Sequence, residues 1–223
     1  MTWQIAIDGP AGAGKSTIAK KVADQIGFVY LDTGAMYRAV TYKMMAENIA
    51  INDEEGVAEL LKNMDLSFTD GGREIHCNGV NISKEIRLPE ISANVSAVSA
   101  LPLVREVMAQ KQREIAEKYD VVMDGRDIGT VILPDAQVKI FLTASLEERT
   151  RRRLEELTAK GITTDYEKLY KEIALRDEKD ANRAIAPLKM ADDAVFLDST
   201  AYNIDDVVKN VLLIIENKGF QPA

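Results

Sequence analysis

The sequence predicts an α/β fold of three layers, with a central parallel sheet between helices. Short apolar runs alternate with amphipathic segments along most of the 223 residues, and this alternation is typical of parallel sheets. A glycine-rich turn joins the first apolar run to the first amphipathic segment, as in a βαβ unit. One stretch near residues 65–90 has the pattern of a hairpin instead. We therefore expect a single domain that carries a small antiparallel insertion.

The first elements form a βαβ unit. Trp3–Asp8 is an apolar run that suits a buried strand, and Lys15–Ile26 has the periodicity of a helix. Gly27 is of the residue type that ends helices, and Phe28–Leu31 predicts the second strand. A second helix starts within Asp32–Arg38. One face of that helix carries the apolar residues Met36, Ala39, Val40 and Met44.

Later segments continue the alternation of helices and strands. Acidic residues cap a predicted helix over Asn52–Met64, and Ile91–Val98 is also expected to be helical. Pro102 suits the first turn of a helix over Leu101–Glu117. An apolar stripe predicts a closing helix over Ile204–Lys218. Buried strands are predicted at Tyr119–Asp124, Lys139–Leu142 and Ala194–Asp198.

The predicted insertion begins with a β-hairpin. Leu66–Phe68 and Glu74–Cys77 are short alternating runs, and they flank turn residues at Thr69–Arg73. His76 and Cys77 are the single histidine and the single cysteine of the chain. As neighbours on one strand they face opposite ways, so we expect ordinary strand residues and not a nucleophile with its base. One cysteine also excludes a disulfide framework.

A Walker A phosphate loop follows the first strand. Its pattern is Gly9-x4-Gly14-Lys15-Ser16, placed between a strand and a helix. Backbone N–H groups of such a loop surround phosphate oxygens, Lys15 reaches the terminal phosphates, and the hydroxyl of Ser16 or Thr17 binds Mg²⁺. The alternative is a glycine-rich turn without a ligand, but the flanking strand and helix favour the phosphate loop. A nucleoside triphosphate is therefore expected on Gly9, Pro10, Ala11, Gly12, Ala13, Gly14, Lys15, Ser16 and Thr17.

Polar residues also follow other predicted strands. Thr33 and Arg38 come after the second strand, while Asp124 ends a later strand just before Arg126 and Asp127. Ligands of open parallel sheets collect at the carboxyl ends of strands, so we expect these side chains near the phosphate loop. Asp124 is expected to hold Mg²⁺ directly or through water. The alternative for Arg38 is a solvated helix residue.

Two arginine-rich helices are predicted in the C-terminal half. Ser145 and Glu148 have the spacing of a capping box at the first helix. Gly161–Asp165 breaks that helix, and the second starts at Tyr166. We expect this pair to form a mobile lid over transferring phosphates, although arginines on a helix are usually solvated. One face of the first helix carries Arg149, Arg152 and Arg153, and one face of the second carries Arg176, Asp180 and Arg183.

Arg105 lies near the start of its predicted helix, where the helix dipole disfavours a cation. Two explanations remain open at this point. Either an anionic ligand binds nearby, or Arg105 pairs with a carboxylate such as Glu106 or Glu90.

Charge and hydropathy exclude other function classes. The formal net charge of −8 argues against a surface that coats nucleic acid. No window reaches the roughly 18 apolar residues of a membrane span, and the phosphate loop comes too early for a cleavable signal peptide. We expect a cytoplasmic protein without nucleic-acid or membrane partners.

Together these features predict phosphoryl transfer. Arginines and Mg²⁺ stabilise the spread negative charge of a loose transition state, and an anionic acceptor needs no strong base. An alcohol acceptor would need one, and Asp127 is placed for that role. Alternatives are another small-molecule kinase or a nucleotide-dependent switch. The absence of an Asn-Lys-x-Asp sequence weakens the guanine-nucleotide form of the switch.

The motifs resemble those of the bacterial cytidylate kinases, which are CMP and dCMP kinases among the P-loop nucleoside monophosphate kinases. The resemblance spans nearly the whole chain. It implies a P-loop kinase fold, transfer from ATP to CMP or dCMP with Mg²⁺, a role in pyrimidine nucleotide metabolism, and a monomer. The matching stretches are Asp8–Thr17, Leu31–Arg38, Asp124–Thr130, Val138–Leu142 and the Arg-Asp-x-x-Asp-x-Asn-Arg-Ala-x-Ala-Pro sequence from Arg176.

The resemblance also implies a division of the chain and roles for its residues. The core covers about 1–64, 100–146 and 170–220, with a monophosphate-binding insertion at about 65–98 and a lid at about 147–165. Cytosine has a donor beside two acceptors, a pattern that Asp, Arg and Ser side chains can recognise together. The CMP-binding residues that the resemblance implies are Thr33, Arg38, Ser96, Arg105, Arg126, Asp127, Arg176, Asp180 and Arg183. The implied catalytic residues are Lys15, Arg126, Asp127, Arg176 and Arg183. The implied lid residues on the ATP side are Arg149, Arg152 and Arg153, and the implied metal ligands are Ser16 and Asp124.

Overall fold

The computed structural model describes residues 2–159 and 161–220. Met1, Lys160 and residues 221–223 fall within the expected domain, and Lys160 within the expected lid, but they lie outside the described residues. The strands are β1 (Gln4–Asp8), β2 (Val29–Asp32), β3 (Leu66–Thr69), β4 (Glu74–Cys77), β5 (Val80–Asn81), β6 (Val121–Gly125), β7 (Val138–Thr143) and β8 (Val195–Asp198). The helices are α1 (Lys15–Ile26), α2 (Thr33–Ala46), α3 (Glu54–Asn63), α4 (Pro89–Val98), α5 (Pro102–Lys118), α6 (Leu146–Ala159), α7 (Tyr166–Ala181) and α8 (Ile204–Asn217).

The predicted α/β fold is confirmed. The central sheet has five strands in the order β2-β6-β1-β7-β8, and all neighbouring pairs are parallel. Helix α1 has the predicted bounds, and the other predicted helices and strands agree to within a few residues. Pro102 lies at the start of α5, as expected. The short strand β5 was not predicted from the sequence, because its two residues form no alternating run.

Alternation along the strands divides the core into two layers. Ile5 and Ile7 of β1 pack with Val122 of β6 on the face covered by α1 and α8. Ala6 and Met123, one position out of phase, pack on the opposite face with residues of α2, α3 and α5. Because both faces are covered, the strands need apolar residues on both sides, which explains their continuous apolar runs. The result is the expected three-layer arrangement.

A small antiparallel sheet lies beside the edge strand β2. Its strand order is β3-β4-β5. Cys77 is buried, whereas His76 lies on the other side of β4 with its Nε2 3.2 Å from Thr69 Oγ1, so neither is placed to activate the other. Gly72, in the turn before β4, lies so close to β2 that an added Cβ would come within 1.7 Å of the carbonyl oxygen of Tyr30. The turn thereby covers part of the sheet edge.

Two local predictions were wrong in detail. The N–H of Glu148 donates to Ser145 Oγ at 3.2 Å, which is one half of a capping box. The other half is absent, because the Glu148 carboxylate accepts hydrogen bonds from Arg151 and Arg152 instead. Helix α7 ends at Ala181, so Arg183 lies just beyond the helix that was expected to carry it. Asn182 is the C-cap residue, and its N–H donates to the carbonyl oxygen of Glu178 at 2.9 Å.

The described helices include none with the length and apolar character that crossing a membrane would require.

The turn at Gly72 generates a stability prediction with a matched control. Gly71 and Gly72 both have positive φ angles, of 62° and 88°, but a Cβ at Gly71 would have no atom within 4 Å. Both alanine substitutions cost the strain of a left-handed residue. Gly72→Ala adds a collision with the β2 backbone, so we expect it to lower the free energy of unfolding by roughly 1–3 kcal/mol more than Gly71→Ala. Urea denaturation of both variants measures the difference, and equal losses would contradict the close approach.

Candidate active site

The phosphate loop lies between the end of β1 and the start of α1. Gly9 approaches β7 so closely that a Cβ would lie 1.9 Å from the carbonyl oxygen of Leu142. Lys15 is buried, and its Nζ donates to the carbonyl oxygen of Pro10 at 2.8 Å. Burial and the nearby Arg126 hold the pKa of Lys15 well below its ordinary value, against the attraction of Asp124 and Asp8. An anion beside this ammonium group would therefore be stabilised strongly.

A set of oxygen ligands lies at the end of the loop. Ser16 Oγ donates to Asp124 Oδ2 at 2.8 Å, and the hydroxyl of Tyr30 donates to Asp124 Oδ1 at 2.8 Å. Burial, together with Asp32, raises the pKa of Asp124 to about 6. Thr33 is also buried, and its hydroxyl donates to the carbonyl oxygen of Asp124 at 2.7 Å. Thr33 thus holds the end of β6, and its proton is not directed to a ligand.

Four arginines lie near one another, and two of them, Arg126 and Arg176, lie close to Lys15. Arg126 Nε donates to Asp180 Oδ2 at 2.8 Å, and Arg183 pairs with the other oxygen of the same carboxylate. Although burial raises the pKa of Asp180, Arg126 and Arg183 lower it below its ordinary value. The Nε atoms of Arg38 and Arg176 are buried and have no hydrogen-bond partner among the described residues. Two donors are therefore available for a ligand.

The charges in this cluster are crowded. Burial, followed by the charges of Arg126 and Arg38, lowers the pKa of Arg176 to about 9. Burial also lowers the pKa of Arg38, which has Asp32 as its main attractive neighbour. Asp32 in turn pairs with Arg87 at 2.5 Å. The carboxylates present neutralise the cluster only in part, and we call Lys15, Arg38, Arg126 and Arg176 the cationic cluster.

A second polar group lies next to the cationic cluster. Arg105 pairs with Asp127, and both side chains are buried. The open question about Arg105 is thereby answered: its carboxylate partner is neither Glu106 nor Glu90, because α5 turns Arg105 toward the strand end that carries Asp127. The guanidinium lies 5.6 Å from the ring centre of Tyr37.

Serines of α4 and its C-terminal end complete this second group. Ser99 accepts hydrogen bonds from two neighbouring arginines. Arg105 NH1 donates to its carbonyl oxygen at 3.2 Å, and Arg183 NH2 donates to its hydroxyl oxygen at 3.3 Å. Ser96, one turn earlier, is half-buried, and its carbonyl oxygen accepts from Ser99 Oγ at 3.1 Å. α4 packs against both α2 and α7. Ser96, Arg105 and Arg183, which were expected on the substrate side, therefore lie in one region of the structure.

Asp8 fixes the turn that carries Arg126 and Asp127. Its two carboxylate oxygens accept the N–H groups of Ile128 at 2.9 Å and Gly129 at 2.7 Å. Burial raises the pKa of Asp8 to about 6, and these two hydrogen bonds oppose the shift. Asp8 is thus the residue that positions the turn after β6.

The three lid arginines do not form one shared ligand-facing group. Arg149 is buried and donates to the carbonyl oxygens of Ala144 at 2.9 Å and Ala11 at 2.8 Å. Arg152 donates to the carbonyl oxygen of Ser199 at 2.7 Å, with an NH1 nitrogen close to the phosphate loop at Gly14. Arg153 pairs with Glu156 on its own helix at 2.6 Å. The three arginines remain on one face of the helix by spacing, but their side chains bind different partners, and their role on the ATP side stays a prediction.

The whole chain is similar to known proteins of one family. The family model described as cytidylate kinase matches residues 5–217. A cytidylate kinase of Caldanaerobacter subterraneus subsp. tengcongensis is 54% identical over 211 residues, which cover 95% of this chain and 93% of that protein. A cytidylate kinase of Bacillus subtilis (strain 168) is 50% identical over 217 residues, 96% of this chain and 97% of that protein. The chain belongs to the cytidylate kinase family.

A solved structure supports the fold alone. An uncharacterized protein from Eubacterium ventriosum ATCC 27560 superposes with a TM-score of 0.56 at 15% identity, covering 96% of this chain and 99% of that chain. Membership of the cytidylate kinase family therefore rests on sequence similarity.

Several residues of this family member's site were missed by sequence reasoning. Ser99, Tyr30 and Tyr37 lie in ordinary helical or strand patterns, so no local signal distinguishes them. Asp177 contacts both Arg149 and the phosphate loop. Its position directly after Arg176 in the conspicuous Arg-Asp-x-x-Asp motif was the one signal that pointed to it.

Proposed function

We propose that this chain transfers the terminal phosphoryl group of ATP to CMP or dCMP, giving ADP and CDP or dCDP. The observation that supports this proposal most is the cationic cluster beside the phosphate loop, where the buried Nε atoms of Arg38 and Arg176 have no hydrogen-bond partner in the described part of the chain. Unpaired buried donors are costly, and a dianionic monophosphate would satisfy them and reduce the repulsion among the arginines. Similarity to cytidylate kinases over nearly the full chain supports the choice of acceptor.

The acceptor phosphate binds Arg38, Arg126 and Arg176 in this proposal. Arg105 with Asp127, and Arg183 with Asp180, lie beside these residues and suit the cytosine and sugar. Ser96 belongs to the base side, while Thr33 contributes by holding the strand end. Cytosine offers a donor next to acceptors, and a site with both carboxylates and guanidinium groups complements that pattern.

The donor nucleotide binds the phosphate loop from Gly9 to Thr17. Its terminal phosphates meet Lys15 and the N-terminal end of α1, where free N–H groups favour anions. Arg152 is close enough to the loop to join them on closure of a lid over about 147–165, whereas Arg153 needs a different rotamer to leave Glu156. The insertion at about 65–98 closes over the acceptor.

Mg²⁺ fits the oxygens at the end of the loop. Ser16 and Asp124 supply hard oxygen ligands in contact, and Asp124 is buried close to a second carboxylate, Asp32, so a cation there would offset their repulsion. The described residues hold no group of three or more acidic, histidine or cysteine side chains that would enclose a metal. Mg²⁺ often binds with few protein ligands, the rest being water and phosphate. Bound there, it would neutralise charge on the donor phosphates.

Transfer needs no protein base. An oxygen of the acceptor phosphate is already anionic and attacks the γ-phosphorus, while the bond to the oxygen that bridges the β- and γ-phosphates breaks and ADP leaves. Lys15, Arg126, Arg176 and Arg183 stabilise the charge that develops on the transferring group. Asp127 pairs with Arg105, so in this proposal Asp127 binds the substrate and does not abstract a proton from it.

Other expectations remain predictions. They are a cytoplasmic location, a monomeric state and the lack of a nucleic-acid partner.

ADP formation against a panel of acceptors tests the proposed function. We expect CMP and dCMP to be phosphorylated in the presence of ATP and Mg²⁺, with kcat/KM at least about tenfold above that for UMP, AMP, GMP and small alcohols such as shikimate. The reason is that uracil reverses part of the donor pattern of cytosine. A chain that turned over none of the monophosphates, or favoured an alcohol, would contradict the proposal.

Two substitutions test the cationic cluster. Lys15→Ala and Arg126→Ala each remove a charge that stabilises the transferring group, so we expect kcat to fall by about 10²–10³-fold. Folding should persist, because burial of Lys15 is costly and Asp180 keeps Arg183 as a partner. Lys21→Ala on the exposed side of α1 is the matched control, expected to retain activity. Thermal unfolding accompanies the kinetics, and inactivity that coincided with loss of the folded state would remove this support.

A further inference from the structure

Ala11 of the phosphate loop is held by side chains from two different helices. Its N–H donates to Asp177 Oδ1 of α7 at 2.9 Å, and its carbonyl oxygen accepts from Arg149 NH1 of α6 at 2.8 Å. Arg149 and Asp177 also pair directly. The three residues therefore form a closed ring, in which the backbone N–H and the carbonyl oxygen of one loop residue are both bound by side chains of the two arginine-rich helices.

Two nitrogens of the Arg149 side chain take part in structural hydrogen bonds at this ring. Its Nε donates to the carbonyl oxygen of Ala144, and NH1 serves Ala11 and Asp177. Its side chain is 9% exposed. Gly12 packs on the same helix, since a Cβ there would lie 3.3 Å from the Cβ of Arg149. Arg149 is thus placed to hold the loop and not to reach the donor phosphates.

Helix α7 connects this ring to the acceptor side. Arg176 directly precedes Asp177 and belongs to the cationic cluster, and Asp180, one turn later, binds Arg126 and Arg183. One turn of one helix therefore contacts the donor loop and the acceptor arginines. These residues lie within one turn of α7, so the helix links the position of the phosphate loop to that of the acceptor arginines.

We propose that Asp177 is a positioning residue that sets the phosphate loop at the correct distance from the acceptor arginines, acting through Ala11 and Arg149. The inference rests on the proposed function for the identity of the two nucleotides. It goes further in giving a role to a carboxylate that binds the backbone of the phosphate loop. Loss of Asp177 leaves the Ala11 N–H without its acceptor and Arg149 without its counter-charge.

Equilibrium binding separates positioning from packing. We expect Asp177→Ala to weaken binding of a non-transferable ATP analogue by about tenfold while CMP binding changes by less than about twofold. Asp177→Asn keeps an oxygen acceptor for Ala11, so it should stay within about threefold of the original chain for both ligands. Glu172→Ala, on an exposed part of α7, is the matched control and should change neither. Calorimetry on the full chain measures all affinities without depending on turnover.

The double substitution Arg149→Met with Asp177→Leu tests whether the Arg149–Asp177 pair positions the phosphate loop or only stabilises the fold. Apolar residues of similar size often replace a buried ion pair without loss of stability. If the pair matters through Ala11, the double variant still binds the ATP analogue about tenfold more weakly than the original chain, whether or not it regains thermal stability relative to Asp177→Ala. If ATP-analogue binding returns with stability, the pair is only structural and the proposal is wrong. The proposal also fails if Asp177→Ala folds and weakens both ligands by the same factor. Either failure leaves the acceptor panel, and so the proposed function, untouched.

Discussion

Mutual repulsion among closely spaced cations, one buried and three partly buried, is the constraint on which the structure depends. Lys15, Arg38, Arg126 and Arg176 lie close enough that the pKa of Arg176 falls to about 9 and that of Lys15 falls well below its ordinary value. Such a cluster is unfavourable by itself and becomes favourable when anions enter it. Two nucleotides meeting end to end repel each other for the same reason. In the proposed function the two unfavourable sets of charge, cations of the site and phosphates of the nucleotides, meet and each reduces the repulsion within the other.

The fold holds this cluster together with a few buried carboxylates. Asp180 binds two arginines, and Asp8 fixes the turn that carries Arg126 through the N–H groups of Ile128 and Gly129. The parallel sheet delivers these groups to one edge, since all five strands end there. Burial raises the pKa values of Asp8 and Asp124 to about 6, so both carboxylates are mainly ionised at neutral pH. They oppose the cationic cluster under the conditions in which nucleotides bind.

Sequence reasoning succeeded where the information is local. The phosphate loop, the first helix and the strand that ends at Asp124 each follow from consecutive residues and their spacing, so they could be predicted. Pairs between distant parts of the chain could not. Arg105 and Asp127 are 22 positions apart, and Ala11 and Asp177 are 166 apart. Local rules also failed where tertiary partners competed, as at Glu148, whose carboxylate binds arginines and not the helix N-terminus.

A crystal structure with CMP and a non-transferable ATP analogue tests the central claim most directly. The account predicts the CMP phosphate between Arg38, Arg126 and Arg176, hydrogen-bonded to the Nε atoms that have no partner among the described residues, and facing the terminal phosphate on the glycine loop. A pyrimidine nucleotide bound elsewhere, with those arginines still without a ligand, would contradict it.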